Sequence, residues 1–329
     1  MHPRDIVLPA YTTTASSDGC ACTCAEDGHG DACLPVAVPE PPSTDGADLC
    51  VRDVRVGVEV SAGLWTSVAC YVGVTFAADV VVDVGSMSGS VRNVTLANCT
   101  FLRGASLYVV GWRSDPPAGE RADVLISGLE SRSGGGVLVA NRFPPGSRVT
   151  VVDSVLIAEK RVAYHDSYDL GDASACLVVH NVNLTGSVLT IARTQVAAVF
   201  RDAVGVLFVG GVALSSRGAL YVDGLFVQTA LGLCVSVEGG VAASGGSVVA
   251  FVDSEFLLCK HAVSVRGAVS VSGSAVALVR SDFLSTGDYA VAFYSTVSLD
   301  GGSMLLAKDN VHDGASREML YAAGAVTAA

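Results

Sequence analysis

Gly246-Ser247-Val248-Val249-Ala250-Phe251-Val252-Asp253-Ser254-Glu255-Phe256 decides the fold, because the chain keeps rewriting it. It returns as Gly273-Ser274-Ala275-Val276-Ala277-Leu278-Val279-Arg280-Ser281-Asp282-Phe283, and again as Gly302-Ser303-Met304-Leu305-Leu306-Ala307-Lys308-Asp309-Asn310-Val311. Upstream stand Ser187-Val188-Leu189-Thr190-Ile191-Ala192-Arg193-Thr194-Gln195-Val196 and Ser147-Arg148-Val149-Thr150-Val151-Val152-Asp153-Ser154-Val155-Leu156. The last apolar position anchors each copy: Phe76, Phe101, Glu130 (or Leu129), Leu156, Val196, Phe226, Phe256, Phe283 and Val311. The gaps, taken through Glu130, are 25, 29, 26, 40, 30, 30, 27 and 28 residues. Self-similarity at such a period is the mark of a solenoid. Each unit holds short Val-rich runs parted by Gly and Ser, with no helical period, which selects a β-solenoid over the helical repeats.

Lanes within the repeat sharpen this. Seven residues before the anchor stand Val94, Val149, Leu189, Val249, Val276 and Met304; five before it stand Leu96, Val151, Ile191, Tyr221, Phe251, Leu278 and Leu306. Between them come Thr95, Thr150, Thr190, Ala250 and Ala277, the in–out–in alternation of a strand. Three before the anchor the lane turns polar, with Asn98, Asp153, Arg193, Asp223, Asp253, Arg280 and Lys308, as a wet corner requires. Two before it the residues are small: Cys99, Ser154, Thr194, Gly224, Ser254 and Ser281. The expected fold is all-β: a right-handed parallel β-helix of about nine coils over residues 51–329, behind a small Cys-rich segment over residues 1–50. The hand follows from the resemblance given below and from the usual hand of such coils, not from these residues.

Composition fits. Half of the 329 residues are apolar and only 6% are aromatic, which suits a narrow interior of branched and small side chains. The net charge is −12, of which the first 50 residues carry −7 through eight acids and one base. No basic patch interleaved with aromatics appears, so a nucleic-acid partner is not expected. The opening Met1-His2-Pro3-Arg4-Asp5 has no apolar run of a signal peptide. The apolar stretch from Val196 to Leu214 contains Arg201, Asp202 and three glycines and keeps the register of the repeat, so it reads as coil strands rather than a membrane span. Both ends look like cuts from something longer.

Residues 1–50 differ in kind. Cys20, Cys22, Cys24, Cys33 and Cys50 crowd among prolines and read as a disulfide-stapled module with a linker. Five is odd, so one thiol pairs elsewhere or its partner lay upstream. With His29 these cysteines suggest a metal, but C-x-C-x-C is tighter than structural zinc spacing, so no metal and no cofactor is expected. The cysteines of the repeat (Cys70, Cys99, Cys176, Cys234 and Cys259) fall in different lanes and read as small buried residues. Asn93, Asn98 and Asn183 each begin an N-glycosylation triplet, with Asn98 best placed on the wet corner.

Loops leave the coil at 112–120, at 141–146 and, within the 40-residue gap, at 159–172. Insertions in repeat proteins tend to gather on the binding face. Trp112, Tyr164, His165, Asp166, Tyr168 and Asp169 are therefore the ligand-binding candidates. A catalytic β-helix would need paired carboxylates beside a cleft. Asp223, Asp253 and Asp282 lie near one another on successive coils, but Arg280 and Lys308 in the same lane balance them, and Gly28-His29-Gly30 stands outside the repeat with no Asp pair. No catalytic residue is assigned, and a pectinase-like enzyme remains the rival reading.

The Cys20-Ala-Cys-Thr-Cys24 opening, the run Ser90-Val-Arg-Asn-Val-Thr-Leu-Ala-Asn-Cys-Thr-Phe101, the stretch 246–256 and the Val/Gly/Ser texture over some 300 residues resemble one family. This is the dispersed gene family protein 1 surface proteins of the trypanosome (Trypanosoma cruzi) that causes Chagas disease. The resemblance implies a large, multicopy, glycosylated cell-surface protein with a β-helical ectodomain, an EGF-like Cys-rich segment and C-terminal membrane spans. This chain shows neither signal nor span and reads as a fragment or truncated copy. Membrane attachment is expected only through a missing C-terminal part, which leaves the chain at the cell surface or secreted. The resemblance also implies a role in adhesion, so a non-enzymatic adhesin meeting host extracellular-matrix protein or glycan is expected, with a structural stalk or immune decoy as the further alternative.

Overall fold

In a computed structural model the chain divides into two units, Met1–Pro41 and Pro42–Ala329. The structure describes three short strands between 12 and 35, and residues 50–329 apart from 58–59, 63–67, 103, 132–134, 159–174, 199, 201–202, 285–286, 314–317 and 329. The first unit is an antiparallel sheet of Thr12–Ala15, Ala21–Cys24 and Leu34–Pro35.

The second unit is a parallel β-solenoid. Among the described residues, two ten-stranded sheets and one fifteen-stranded sheet run its length, each strand pairing with its counterparts on the neighbouring coils. The first sheet holds Val248–Val252 and its repeats, such as Val91–Ala97, Arg148–Val152 and Ala275–Val279. The second holds the anchor strands, among them Thr100–Phe101, Glu255–Leu257 and Asp282–Leu284. The third begins at Val60–Ala62 and includes Leu107–Val110 and Val137–Arg142. From the long strand Ala175–Thr185 onwards its coils split into paired strands such as Val204–Val209 and Val212–Ser215. The described part of the stretch from Val196 to Leu214 thus belongs to the coils, and among the described residues no helix is long and apolar enough to cross a membrane.

The interior follows the repeat, with three corrections to the anchors. The inward lane runs Phe76, Phe101, Ser131, Leu156, Val196, Val227, Phe256, Phe283, His312. Glu130, Phe226 and Val311 stand one residue short of it and face outward. The slip has a physical cause: at two of these sites the inward residue is polar, Ser131 or His312, so an apolar pattern does not mark it. Ser131 is buried because its hydroxyl donates to the Gly135 carbonyl at 3.0 Å. The same shift puts Val222 and Ala307, not Tyr221 and Leu306, in line with Leu96, Val151, Ile191, Phe251 and Leu278, and Leu305 rather than Met304 in line with Val276. Phe256 and Phe283 stack with ring centroids 5.3 Å apart and planes within 9°.

The corner is a left-handed bend on coil after coil. Asp53, Asn98, Asp153, Arg193, Asp253, Arg280 and Asp309 all have φ between 43° and 54°, and Gly128 and Gly224 take the same position with φ of 62° and 59°. Asp223 and Lys308 precede the bend rather than occupy it. A bend residue with a side chain pays local strain. In return Arg193 holds Asp153 through two hydrogen bonds of 2.7 and 3.0 Å, and Arg280 holds Asp253 through two of 2.7 and 2.8 Å. Arg193 thereby keeps the Asp153 carboxyl below its ordinary range.

Just past the bend, the lane of small residues is internal. Ser154, Thr194, Ser254 and Ser281 are buried, and each hydroxyl donates to the carbonyl two residues back. Ser154 Oγ also accepts the Leu129 N–H at 3.2 Å, and Ser254 Oγ accepts the Leu225 N–H at 3.3 Å, one coil away. Backbone groups that turn away from the sheets are satisfied inside the core by these hydroxyls. Thr150, Thr190, Ala250 and Ala277 belong to the outward side of the first sheet, yet they too are buried. Short side chains on strands about 4.8 Å apart shade one another.

Candidate binding face on the third sheet

The outward side of the third sheet changes character along the rod. One lane reads Val81, Tyr108, Leu138, Val178, Leu207, Ser236, Ser264, Ala292, Tyr321. Its first half belongs to a second apolar cluster, separate from the interior, in which Leu138, Val178 and Leu207 are fully buried. Ser236, Ser264 and Ala292 follow, and then Tyr321. The adjacent lane makes the same passage through Val204, Leu233, His261 and Tyr289.

The aromatic end is a single assembly. His261 stacks on Tyr289 with centroids 5.6 Å apart and planes within 12°, and Tyr289 stacks on Tyr321 at 4.4 Å and 13°. Tyr294 flanks this stack, edge-to-face at 5.9 Å from both His261 and Tyr321. Its hydroxyl meets His261 Nε2 at 2.9 Å, which fixes the ring against the stack. His261 is buried and its Nδ1 has no hydrogen-bond partner among the described residues. Burial pushes the imidazole below its ordinary pKa, Lys260 adds to that, and Asp288 opposes it. Burial, followed by Asp288, pushes the Tyr294 hydroxyl up. Tyr294 keeps 41% of its surface exposed.

The rim is charged in pairs. Lys260 faces Asp288 at 4.0 Å and Arg266 faces Glu238 at 3.7 Å. A disulfide, Cys234–Cys259, ties the coil carrying Leu233 to the coil carrying His261, with Cα atoms 5.6 Å apart. At the turn leading in, Leu231 and Leu258 adopt φ of 61° and 57° and remain exposed. Bulky residues held in the left-handed region and left in water are uncommon and cluster at functional sites. The face is therefore rigid, aromatic and rimmed by both signs of charge.

The sequence candidates fare differently. Trp112, expected at a ligand-binding loop, is buried. Its Nε1 donates to Glu120 at 3.2 Å and the Arg92 guanidinium lies 4.3 Å from its ring centroid. Arg92 is itself held by Glu120 at 2.6 Å and by the Val84 carbonyl at 2.6 Å, so this is a packed cluster with no open ring face. The loops at 112–120 and 141–146 are joined through Trp112 N–H to Arg142 O at 2.9 Å and its reciprocal at 3.2 Å, and Arg142 pairs with Asp115. Tyr164, His165, Asp166, Tyr168 and Asp169 lie outside the described residues. Asn93, Asn98 and Asn183 are all exposed, and Thr185 donates to Asn183 Oδ1 at 2.8 Å.

Cysteine use departs from expectation. Cys50 pairs with Cys70, and Cys234 with Cys259, so three thiols read as small core residues are bridged. Neighbouring coils supply the partners: Cys50 stands one residue before Val51, the partner of Tyr71, and so lies in register with Cys70, whereas Cys259 lies in the turn before His261, whose partner Leu233 precedes Cys234. Cys99 and Cys176 are buried thiols, the latter pushed up to about 12 by burial. Cys20 and Cys33 lie outside the described residues, and only the backbone of Cys22 and Cys24 is described. Gly28-His29-Gly30 also lies outside them. Of the carboxylates weighed for catalysis, Asp253 is engaged by Arg280, and burial, with Asp253 next, raises the Asp223 carboxyl.

The aromatic face lies outside the sequence lanes, which cover only the first two strands of each unit. Its signal was present: His261 and Tyr289 are 28 residues apart, one coil. The family model for the DGF-1 beta-sheet domain matches residues 93–255. No curated protein and no solved structure matches the chain.

Proposed function

The chain belongs to the DGF-1 family, and from that premise we infer that it is a non-enzymatic surface protein, an adhesin whose solenoid holds out a binding face to host glycan or matrix protein. One observation carries this reading. A rigid outer sheet displays a cluster of four aromatic rings, with Tyr294 open to solvent and paired charges at its edge. Aromatic residues with a polar handle are favoured at interfaces because they bury much area while losing few rotamers. Display at the cell surface and glycosylation at Asn93, Asn98 or Asn183 belong to the same reading.

The test is binding of the full chain to arrays of glycans and extracellular-matrix proteins, beside a Tyr294→Ala/Tyr321→Ala variant. Specific binding by the parent that the variant loses is the expected result. Silence from a parent that circular dichroism shows to be folded would overturn the adhesin and leave a structural stalk or immune decoy. Release of reducing ends from a bound glycan would instead favour the pectinase-like alternative.

A further inference from the structure

Resting on that reading, we propose that the Tyr294 end of the aromatic cluster is a subsite for an uncharged pyranose of a glycan chain. The accessible ring decides the contact. His261 is buried, Tyr289 is stacked by both His261 and Tyr321, and Tyr321 is half-buried against Tyr289, whereas Tyr294 lies alongside them with 41% of its surface exposed. A pyranose presents a flat patch of C–H groups that packs on such a ring, with hydroxyls around its edge. Each hydroxyl both donates and accepts, so it needs both kinds of partner.

The rim supplies both. Lys260 and Arg266 are donors; Asp288 and Glu238 are acceptors; they stand as two opposed pairs. Two bases against two acids leave no surplus of positive charge to hold a sialylated or sulfated glycan. Preorganisation favours the same conclusion. The His261 Nε2 contact at 2.9 Å fixes the Tyr294 hydroxyl, and the Cys234–Cys259 bridge fixes the coil beneath His261, so binding orders little that is not already ordered. Coils about 4.8 Å apart repeat at close to the length of one sugar residue, so a glycan laid along the rod meets a new coil at each unit.

The experiment titrates the full chain by calorimetry with mannohexaose and chitohexaose as neutral probes, a heparin hexasaccharide as the anionic probe and a collagen-like proline-rich peptide. A neutral probe is expected to bind, with an affinity unchanged between about 0.05 and 0.5 M salt. Tyr294→Ala is expected to weaken it about tenfold, and Tyr294→Phe, which keeps the ring and loses its tether, about twofold. Both substitutions fall on an exposed side chain, and far-UV circular dichroism checks that each variant is folded. Heparin or peptide binding without neutral-glycan binding overturns the subsite and leaves the adhesin standing. Neutral-glycan binding that is indifferent to Tyr294→Ala overturns the subsite as well. Silence towards every probe, on these titrations and on the arrays, overturns both readings.

Discussion

Buried hydroxyls and one buried imidazole set the finest constraints on this chain. Ser254 Oγ accepts the Leu225 N–H at 3.3 Å and donates to the Val252 carbonyl at 3.0 Å, so it serves two coils at once. Ser254→Ala leaves that N–H buried and unpaired, and the expected loss is about 1–3 kcal/mol in chemical denaturation. Ser272→Ala, at an exposed position, should cost less than about 0.5 kcal/mol. His261 carries a pH signature. Its folded pKa lies below the unfolded value, so the unfolded chain takes up the proton first as the solution is acidified. Stability should be full above about pH 6.5 and fall as the pH drops through that value towards the folded pKa. His261→Gln removes the titration, so its melting temperature should decline less than the parent's between about pH 7.5 and 5. Equal declines would show that His261 titrates normally in the fold.

Strands explain what was legible beforehand and what was not. Val94, Val149, Leu189, Val249 and Val276 declared the inward lane of the first sheet, because a repeating apolar side chain at fixed spacing has no other cheap arrangement. Asn98, Asp153 and Asp253 declared the bend, since short polar side chains tolerate the left-handed conformation. Ser131 and His312 broke the lane, and Glu130 (or Leu129) and Val311 stood in their place. Tyr289 and Tyr321 escaped because the sequence lanes cover only the strands of the first two sheets, although His261 and Tyr289 stand one coil apart on the third. The lane assignment makes a sharp contrast. Val151→Asp and Leu278→Asp place a carboxylate among fully packed side chains and should each cost several kcal/mol and unfold the solenoid. Asp153→Ala loses an exposed ion pair, about 0–1 kcal/mol, and sets an alanine in the left-handed bend, so it should cost no more than about 2 kcal/mol in all. Circular dichroism melts of the three variants separate these outcomes, and equal destabilisation would mean that inside and outside are exchanged.

The molecule as a whole is a stack in which each coil is stabilised by its neighbours, so bonds that clamp coils together matter beyond their own site. Cys234 and Cys259 are 25 residues apart in sequence and close one coil, and replacing both with Ala should lower stability by about 3 kcal/mol under oxidising conditions while leaving the reduced protein little changed. The stack also fixes a ruler. Asn183, Ala213, Ala242, Ser270, Ser298 and Thr327 succeed one another in register on the third sheet and are all exposed. Spin labels at position 183 paired in turn with 270, 298 and 327 test the coil register by pulsed dipolar spectroscopy. The mean separation should grow by about 4.8 Å at each step. Separations that stay level, shrink or scatter across the three pairs would contradict a parallel solenoid and, with it, the face on which its function is built.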